Sequence, residues 1–290
     1  MSRTLEELVH LLALERIDED LFRGLSEDLG WGRLYGGHVL AQALSAAIQT
    51  VTPDRRVHSV HGYFLLSGDV SIPVIYDVDR IRDGGSFTTR RVVAKQRGKA
   101  IFHLSASFQT HEDGFEHQDE MPSVPDPDGV PNEEDAMAKL GHRMPAPLRA
   151  RLHEPRPFDF RPIQPALDPI APSPLPPRRD VWIRGRGSLG DDPALHATLL
   201  AYVSDFYFVG TSLLPHGVSW LSPGMQVASL DHAMWFHADL RADDWLLHSM
   251  ESPRASAGRG LVRGRVFARD GRLVASSIQE GLIRRRPAPP

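Results

Sequence analysis

Residues 36–51 read GGHVLAQALSAAIQTV, and residues 193–208 read PALHATLLAYVSDFYF. Both are apolar and of helical length. Strand-like segments follow the first: VHSVHGYFL from Val57, IPVIYDVDRIRDG from Ile72, SFTTRRVVAKQRG from Ser86 and AIFHLSASFQ from Ala100. Four more follow the second: VASLDHAMWFH from Val227, WLLHSMESPRASA from Trp245, GRGLVRGRVFARDG from Gly258 and LVASSIQEGLI from Leu273. The turns RDGG, QRGK and RDGR between them are hairpin signals. Spacing agrees: His61 to Gln109 is 109 − 61 = 48 residues, and His232 to Gln279 is 279 − 232 = 47. The endings LSASFQ and VASSIQ resemble each other. The chain therefore repeats one unit, a helix followed by a long antiparallel sheet, which is an α+β layer design.

Between Arg33 and Pro53 there is no acidic residue, and Ala41, Ala43, Ala46 and Ala47 are small, as suits a helix buried on most sides. Of the 24 prolines, 15 lie between Met121 and Asp180. Proline lacks a backbone donor and breaks helix interiors, so this region is expected to be a linker over the surface, with one short helix at Glu133 to Leu140. The expected division is 1–120, a Pro-rich linker at 121–180, and 181–290.

The N-terminal run TLEELVHLLALERI has helical spacing through Ile17, with Thr4 and Glu7 placed for a capping box, and does not read as a signal peptide. No apolar run approaches the roughly 20 residues that span a bilayer, so no membrane partner is expected. A net charge of −4 argues against nucleic acid, and Arg284 to Arg286 read as a solvated end. With no cysteine there is no disulfide, thiolate nucleophile or cysteine-ligated metal, which fits a cytoplasmic protein.

The strings YGGHVLAQAL at Tyr35, VHSVHGYF at Val57, ASFQ at Ala106, YVSDF at Tyr202, LPHGVSWLSPG at Leu214, DHAMWFH at Asp231 and VASSIQEG at Val274 occur in order across nearly the whole chain. In this the sequence resembles the acyl-CoA thioesterase II family, the double-hotdog thioesterases. The resemblance implies two tandem hotdog domains, each a helix wrapped by a curved antiparallel sheet. It implies hydrolysis of fatty acyl-CoA to free fatty acid and coenzyme A, without cofactor or metal, by subunits that form a homo-oligomer. The family's aspartate, hydroxyl residue and glutamine fall on Asp205, Ser229 and Gln279. Threonine is common where Ser229 stands; serine keeps the hydroxyl.

These residue types suit the chemistry. A carboxylate can take a proton from water, and an amide and a hydroxyl can orient that water. Direct attack by Asp205 to give an anhydride is the alternative. The start of the first helix, Gly36-Gly37-His38, lets a carbonyl oxygen approach backbone N–H groups, so the Gly37 and His38 amides are the expected oxyanion donors. The second helix starts Asp191-Asp192-Pro193, where acids cap well but repel an oxyanion. One composite site between the halves is thus expected. Arg254, Arg259 and Arg263 are the candidates for coenzyme A phosphates.

Other patterns carry less. Gly185, Gly187 and Gly190 spell a nominal dinucleotide motif, but two acids follow and no parallel βαβ unit does. Ser229, Asp231 and His232 are too close in sequence for a triad, and His232 matches His61 in the repeat, so it is read as structural. Two other functions share this scaffold: an acyl-thioester hydratase or dehydratase, and a non-catalytic acyl-CoA-binding protein.

Overall fold

The computed structural model describes residues 4–144, 146–149, 154–164 and 167–286. Helix α1 (Leu5–Leu12) opens with the expected capping box, Thr4 and Glu7 each accepting from the other's backbone N–H. It stops short of Ile17. Leu5, Leu8, Leu11 and Leu12 complete its buried face, whereas Glu15, Arg16 and Ile17 are exposed and anchor no further turn. Ala13 turns extended, and Glu15–Asp18 becomes strand β1, antiparallel to β2 (Leu21–Gly24).

After α2 (Gly36–Ile48) come β3 (Arg56–Phe64), β4 (Val74–Asp83), β5 (Phe87–Gln96) and β6 (Lys99–Gln109). Short helices α3 (Glu133–Ala138) and α4 (Ala146–Arg149) precede β7 (Phe158–Pro162) and β8 (Arg178–Gly185). The second half continues with α5 (Pro193–Val203), α6 (Phe208–Thr211), β9 (Met225–Ser229), β10 (Asp231–Phe236), β11 (Leu246–Ser256), β12 (Arg259–Ala268) and β13 (Leu273–Arg285).

The strands join in the order β1-β2-β4-β5-β6-β3-β10-β13-β12-β11-β8-β7, with β9 paired to β13. Read outward from the centre, the two halves match: β3 with β10, β6 with β13, β5 with β12, β4 with β11, β2 with β8, and β1 with β7. Each half is a helix held in an antiparallel sheet, as expected of two hotdog units. The central pair β3 and β10 is antiparallel, with Ala233 opposite His61, and makes the sheet continuous.

The segment 121–180 departs from a plain linker. β7 and the start of β8 lie within it, and they repeat β1 and β2 at the far edge of the sheet. Proline density leaves room for this, because an edge strand tolerates a missing donor at its end, and Pro162 closes β7. The expected short helix is present as α3.

The core lies where α2 meets α5. Leu40, Ala41, Leu44, Leu199 and Ala201 are essentially inaccessible to solvent. Burying one such leucine contributes about 1.5–3 kcal/mol. Small residues let the helices approach closely: a Cβ built on Gly37 would lie 2.2 Å from the Tyr202 carbonyl oxygen. No helix among the described residues is long and apolar enough to cross a membrane.

Candidate active site

The expected helix over 193–208 is broken. It ends at Val203, and Tyr207 takes a left-handed conformation (φ 63°) before α6 begins. Such a conformation costs a non-glycine residue on the order of 1–3 kcal/mol. Asp205 therefore lies in a turn rather than late in a helix. The turn aims its carboxylate at the first turn of α2, in the other half of the protein. Oδ2 accepts from the Gly37 N–H at 2.9 Å. Oδ1 accepts from Gln279 Nε2 at 2.7 Å, with the Ser229 hydroxyl at 3.5 Å. Gln279 stands on β13, and Ser229 ends β9, where the single strand expected from Val227 is interrupted at Leu230. The structure thus brings Asp205, Ser229, Gln279 and Gly37 together.

The Gly37 amide is engaged by the carboxylate. Tyr35, the N-cap of α2, supplies no side-chain cap, and the first turn has no acid of its own. Asp205 fills that place from the other half, where the helix dipole favours negative charge. A side chain at Gly36 would push against the carboxylate: a Cβ there would sit 2.6 Å from Asp205 Oδ2. The next amide, of His38, belongs to the same first turn; its ring points away, with Nε2 at 3.0 Å from the Leu25 carbonyl oxygen.

Burial pushes the Asp205 pKa up, while hydrogen bonds from Gln279, Gly37 and Ser229 pull it back. The carboxylate is packed among protein atoms, yet partial exposure remains where it opens onto the cavity. A carboxylate destabilised in this way is a stronger base than one in water.

A buried chain of hydrogen bonds runs behind Gln279. Gln279 Nε2 also lies 3.1 Å from His232 Nδ1, and His232 Nε2 lies 3.0 Å from Ser204 Oγ. Burial lowers the His232 pKa to about 3, so the ring is neutral and carries one proton. Gln279 must present its NH2 to the carboxylate, so Nδ1 accepts and the ring proton sits on Nε2. It is then donated to Ser204 Oγ, which donates to the Ala201 carbonyl at 3.0 Å. The sequence reading treated His232 as structural; the structure places it one bond from Gln279. The available signal was register: β10 and β13 pair Ala233 with Ile278, which brings the neighbours His232 and Gln279 side by side.

Asp205 opens onto a cavity of about 1030 Å³. Trp31, Phe64 and Phe102 line one side of it, and Phe160, Leu213 and Met137 the other. Arg254, Arg259 and Arg263 are not among its lining. They lie on β11 and β12, where Arg259 pairs with Glu280 at 2.9 Å and Arg263 with Glu251 at 2.6 Å. The arginines that do line the cavity are Arg33, Arg156 and Arg179. They are scattered in sequence and form no cluster that reading alone would flag.

The pseudo-symmetric position is built differently. Asp192 caps α5, accepting from the Ala194 N–H at 3.0 Å, and Asp191 pairs with Arg241 at 2.6 Å. Gln109, the counterpart of Gln279, reaches Glu112 at 3.4 Å instead of a carboxylate on the neighbouring helix.

Comparison with known proteins places the chain in a family. A family model described as acyl-CoA thioesterase matches residues 172–282, and one described as acyl-CoA thioesterase N-terminal domain matches residues 25–109. The chain is 44% identical to acyl-CoA thioesterase 2 of Haemophilus influenzae, over 98% of this chain and 99% of that one. It superposes on the crystal structure of an acyl-CoA thioesterase II from Mycobacterium marinum with a TM-score of 0.78, at 42% identity over 98% of this chain and 99% of that one. A protein with a hot dog fold from Alicyclobacillus acidocaldarius shares the fold at 21% identity and a TM-score of 0.76, covering 97% of this chain and 99% of that one.

Proposed function

The chain belongs to the acyl-CoA thioesterase II family and hydrolyses acyl-CoA to a free acid and coenzyme A, and we propose that Asp205 is the general base of that reaction. The supporting observation is the convergence of the Gly37 amide and the Gln279 amide group on one buried carboxylate at the cavity wall. In this reading Gln279 and Ser229 orient a water beside Asp205. Asp205 takes a proton from it, and the resulting hydroxide attacks the thioester carbonyl. The Gly37 and His38 N–H groups receive the oxyanion. As Asp205 becomes protonated its hold on the Gly37 amide weakens, at the step where negative charge builds on the thioester oxygen. Collapse of the tetrahedral intermediate breaks the carbon–sulfur bond, and the proton on Asp205 passes to the coenzyme A sulfur.

Release of free thiol from a panel of acyl-CoA chain lengths, by the native protein and by Asp205→Asn, tests the assignment. Release that survives the substitution would remove Asp205 from the mechanism. Label from isotopic water in the Asp205 carboxylate after many turnovers would show that Asp205 attacks and that water opens the anhydride at the Asp205 carbonyl; direct attack by water leaves the residue unlabelled. A hydratase or dehydratase reading lacks its acid–base histidine. His232 is fully buried, is held neutral and does not line the cavity.

The same reading includes a homo-oligomer, testable by sedimentation of the intact chain, and a cytoplasmic place. It divides the chain into 1–120, 121–180 and 181–290, with strand 158–162 lent by the connecting segment to the second sheet. Proteolytic nicking confined to 121–157 is the expected support for that division.

A further inference from the structure

Arg179 is the first of the inward-facing positions of its strand: Arg179, Val181 and Ile183 alternate with Asp180 and Trp182 along β8. Val181 and Ile183 are buried in the core. Arg179 points the same way and lines the cavity, with its guanidinium 5.4 Å above the Tyr207 ring. Among the described residues it makes neither a hydrogen bond nor an ion pair. Its neighbours differ: Arg178 pairs with Glu251, while Arg161, Arg184 and Arg186 each approach Asp159.

The acid that faces Arg179 is Glu133, and it is already engaged. Arg156 holds it at 2.8 Å, and the Tyr207 hydroxyl bonds to it. Arg156 therefore holds the carboxylate at this end of the cavity, and Arg179 feels Glu133 only at longer range. Arginine stays protonated when buried, and an unpaired buried charge is costly. The surrounding wall is otherwise aromatic and aliphatic, with Phe158, Phe160 and Leu213 nearby in the lining.

We propose that Arg179 is an anion-binding subsite of the cavity, which receives a negatively charged group carried by the thioester substrate. That group is a phosphate of coenzyme A or a carboxylate at the far end of the acyl chain. The proposal rests on the reading of the cavity as the acyl-CoA site. A planar guanidinium already stacked on a ring needs little reorganisation to meet either oxyanion in bidentate fashion.

The test compares native protein, Arg179→Met and Arg179→Lys on three substrates: decanoyl-CoA, decanoyl-pantetheine and the ω-carboxylated decanedioyl-CoA. A phosphate contact predicts that Arg179→Met raises KM for both coenzyme A esters by about tenfold or more, and leaves decanoyl-pantetheine unchanged. A carboxylate contact predicts a similar loss in kcat/KM for decanedioyl-CoA alone. Either way Arg179→Lys recovers part of the loss, since it keeps the charge. An equal fall on all three substrates would show a packing role and overturn the proposal, as would no change on any. Absence of thiol release by the native protein would instead sink the underlying hydrolase reading, and this one with it.

Discussion

Replacing Asp205 with asparagine separates its chemistry from its cost to the fold. Three donors meet the carboxylate: the Gly37 N–H, the Gln279 NH2 and the Ser229 hydroxyl. An asparagine accepts on one oxygen only, so its NH2 must face either Gly37 or Gln279, and one buried donor loses its partner. That loss costs about 1–3 kcal/mol. The lost charge acts in the opposite direction. Burial raises the folded-state pKa of Asp205 above its ordinary 3.8. The folded protein then binds more protons than the unfolded chain between these two values, so the native protein loses stability as pH rises from about 4 through the raised pKa. The asparagine variant has no such loss. Its melting temperature is therefore lowest relative to native at acidic pH, and the gap narrows or reverses toward neutral pH. Each kcal/mol corresponds to roughly 2–4 °C in a chain of this size. Activity follows a different course: loss of a general base predicts a fall in kcat of about 10²–10⁴. The assay pair is thiol release and calorimetric melting from pH 4 to pH 8. A melting difference that does not change with pH would refute the claim that burial holds this carboxylate at a cost.

Gly36→Ala places a methyl against the carboxylate and the Phe64 ring while improving helix propensity, so kcat is expected to fall about 10²-fold with little change in melting temperature. Gln279→Ala is expected to remove most turnover, whereas Gln109→Ala leaves it intact; equal losses would show two working sites. His232→Leu frees the Gln279 amide, so kcat drops roughly tenfold at unchanged KM. In that variant the acidic limb of the kcat–pH profile also moves up, because a loosened Gln279 lowers the Asp205 pKa less. His232→Asn, which can still accept from Gln279, recovers part of both effects, and an unshifted limb in the leucine variant would reduce His232 to packing.

Much of this was legible because periodicity and turn chemistry are local. The eight main strands were read from alternating residues between glycine turns, and the repeat followed from spacing. The catalytic positions came from a family resemblance, since nothing in local pattern distinguishes Asp205 from other acids. What stayed hidden depends on tertiary closure. ERID at Glu15 and FDFRP at Phe158 are strands only because each finds an edge to pair with. The break after Val203 was hidden because YVSDFYF continues the apolar run from Pro193 with no proline or glycine to stop it, and the seating of Asp205 and the left-handed Tyr207 interrupt it. The arginines were misleading in the same way: a cluster in sequence on β11 and β12 pairs with acids on the sheet, while a solitary Arg179 faces the cavity.

The duplication gives a physical reason for a single site. A helix that begins with two glycines and no acid has unsatisfied N–H groups, which a second chain segment must cap. Asp205 supplies that cap only because α5 ends at Val203, two residues before it. Reciprocity would require the end of α2 to offer a carboxylate to the start of α5, and α5 already carries its cap in Asp192. Once one helix is capped internally and the other from its neighbour, the two interfaces can no longer do the same work. The interface with the borrowed cap keeps the carboxylate to which the general-base role is proposed. The other is closed by Arg241 and its two aspartates. Placing an acid at the N-cap of α2, by Tyr35→Asp, is then expected to compete with Asp205 for the Gly37 amide, at the cost of a buried ring that donates to the Tyr202 carbonyl and packs on Trp31, Tyr202 and Phe206. It should reduce kcat and lower the melting temperature through the lost ring packing, and a folded variant with full activity would break the link between capping and catalysis.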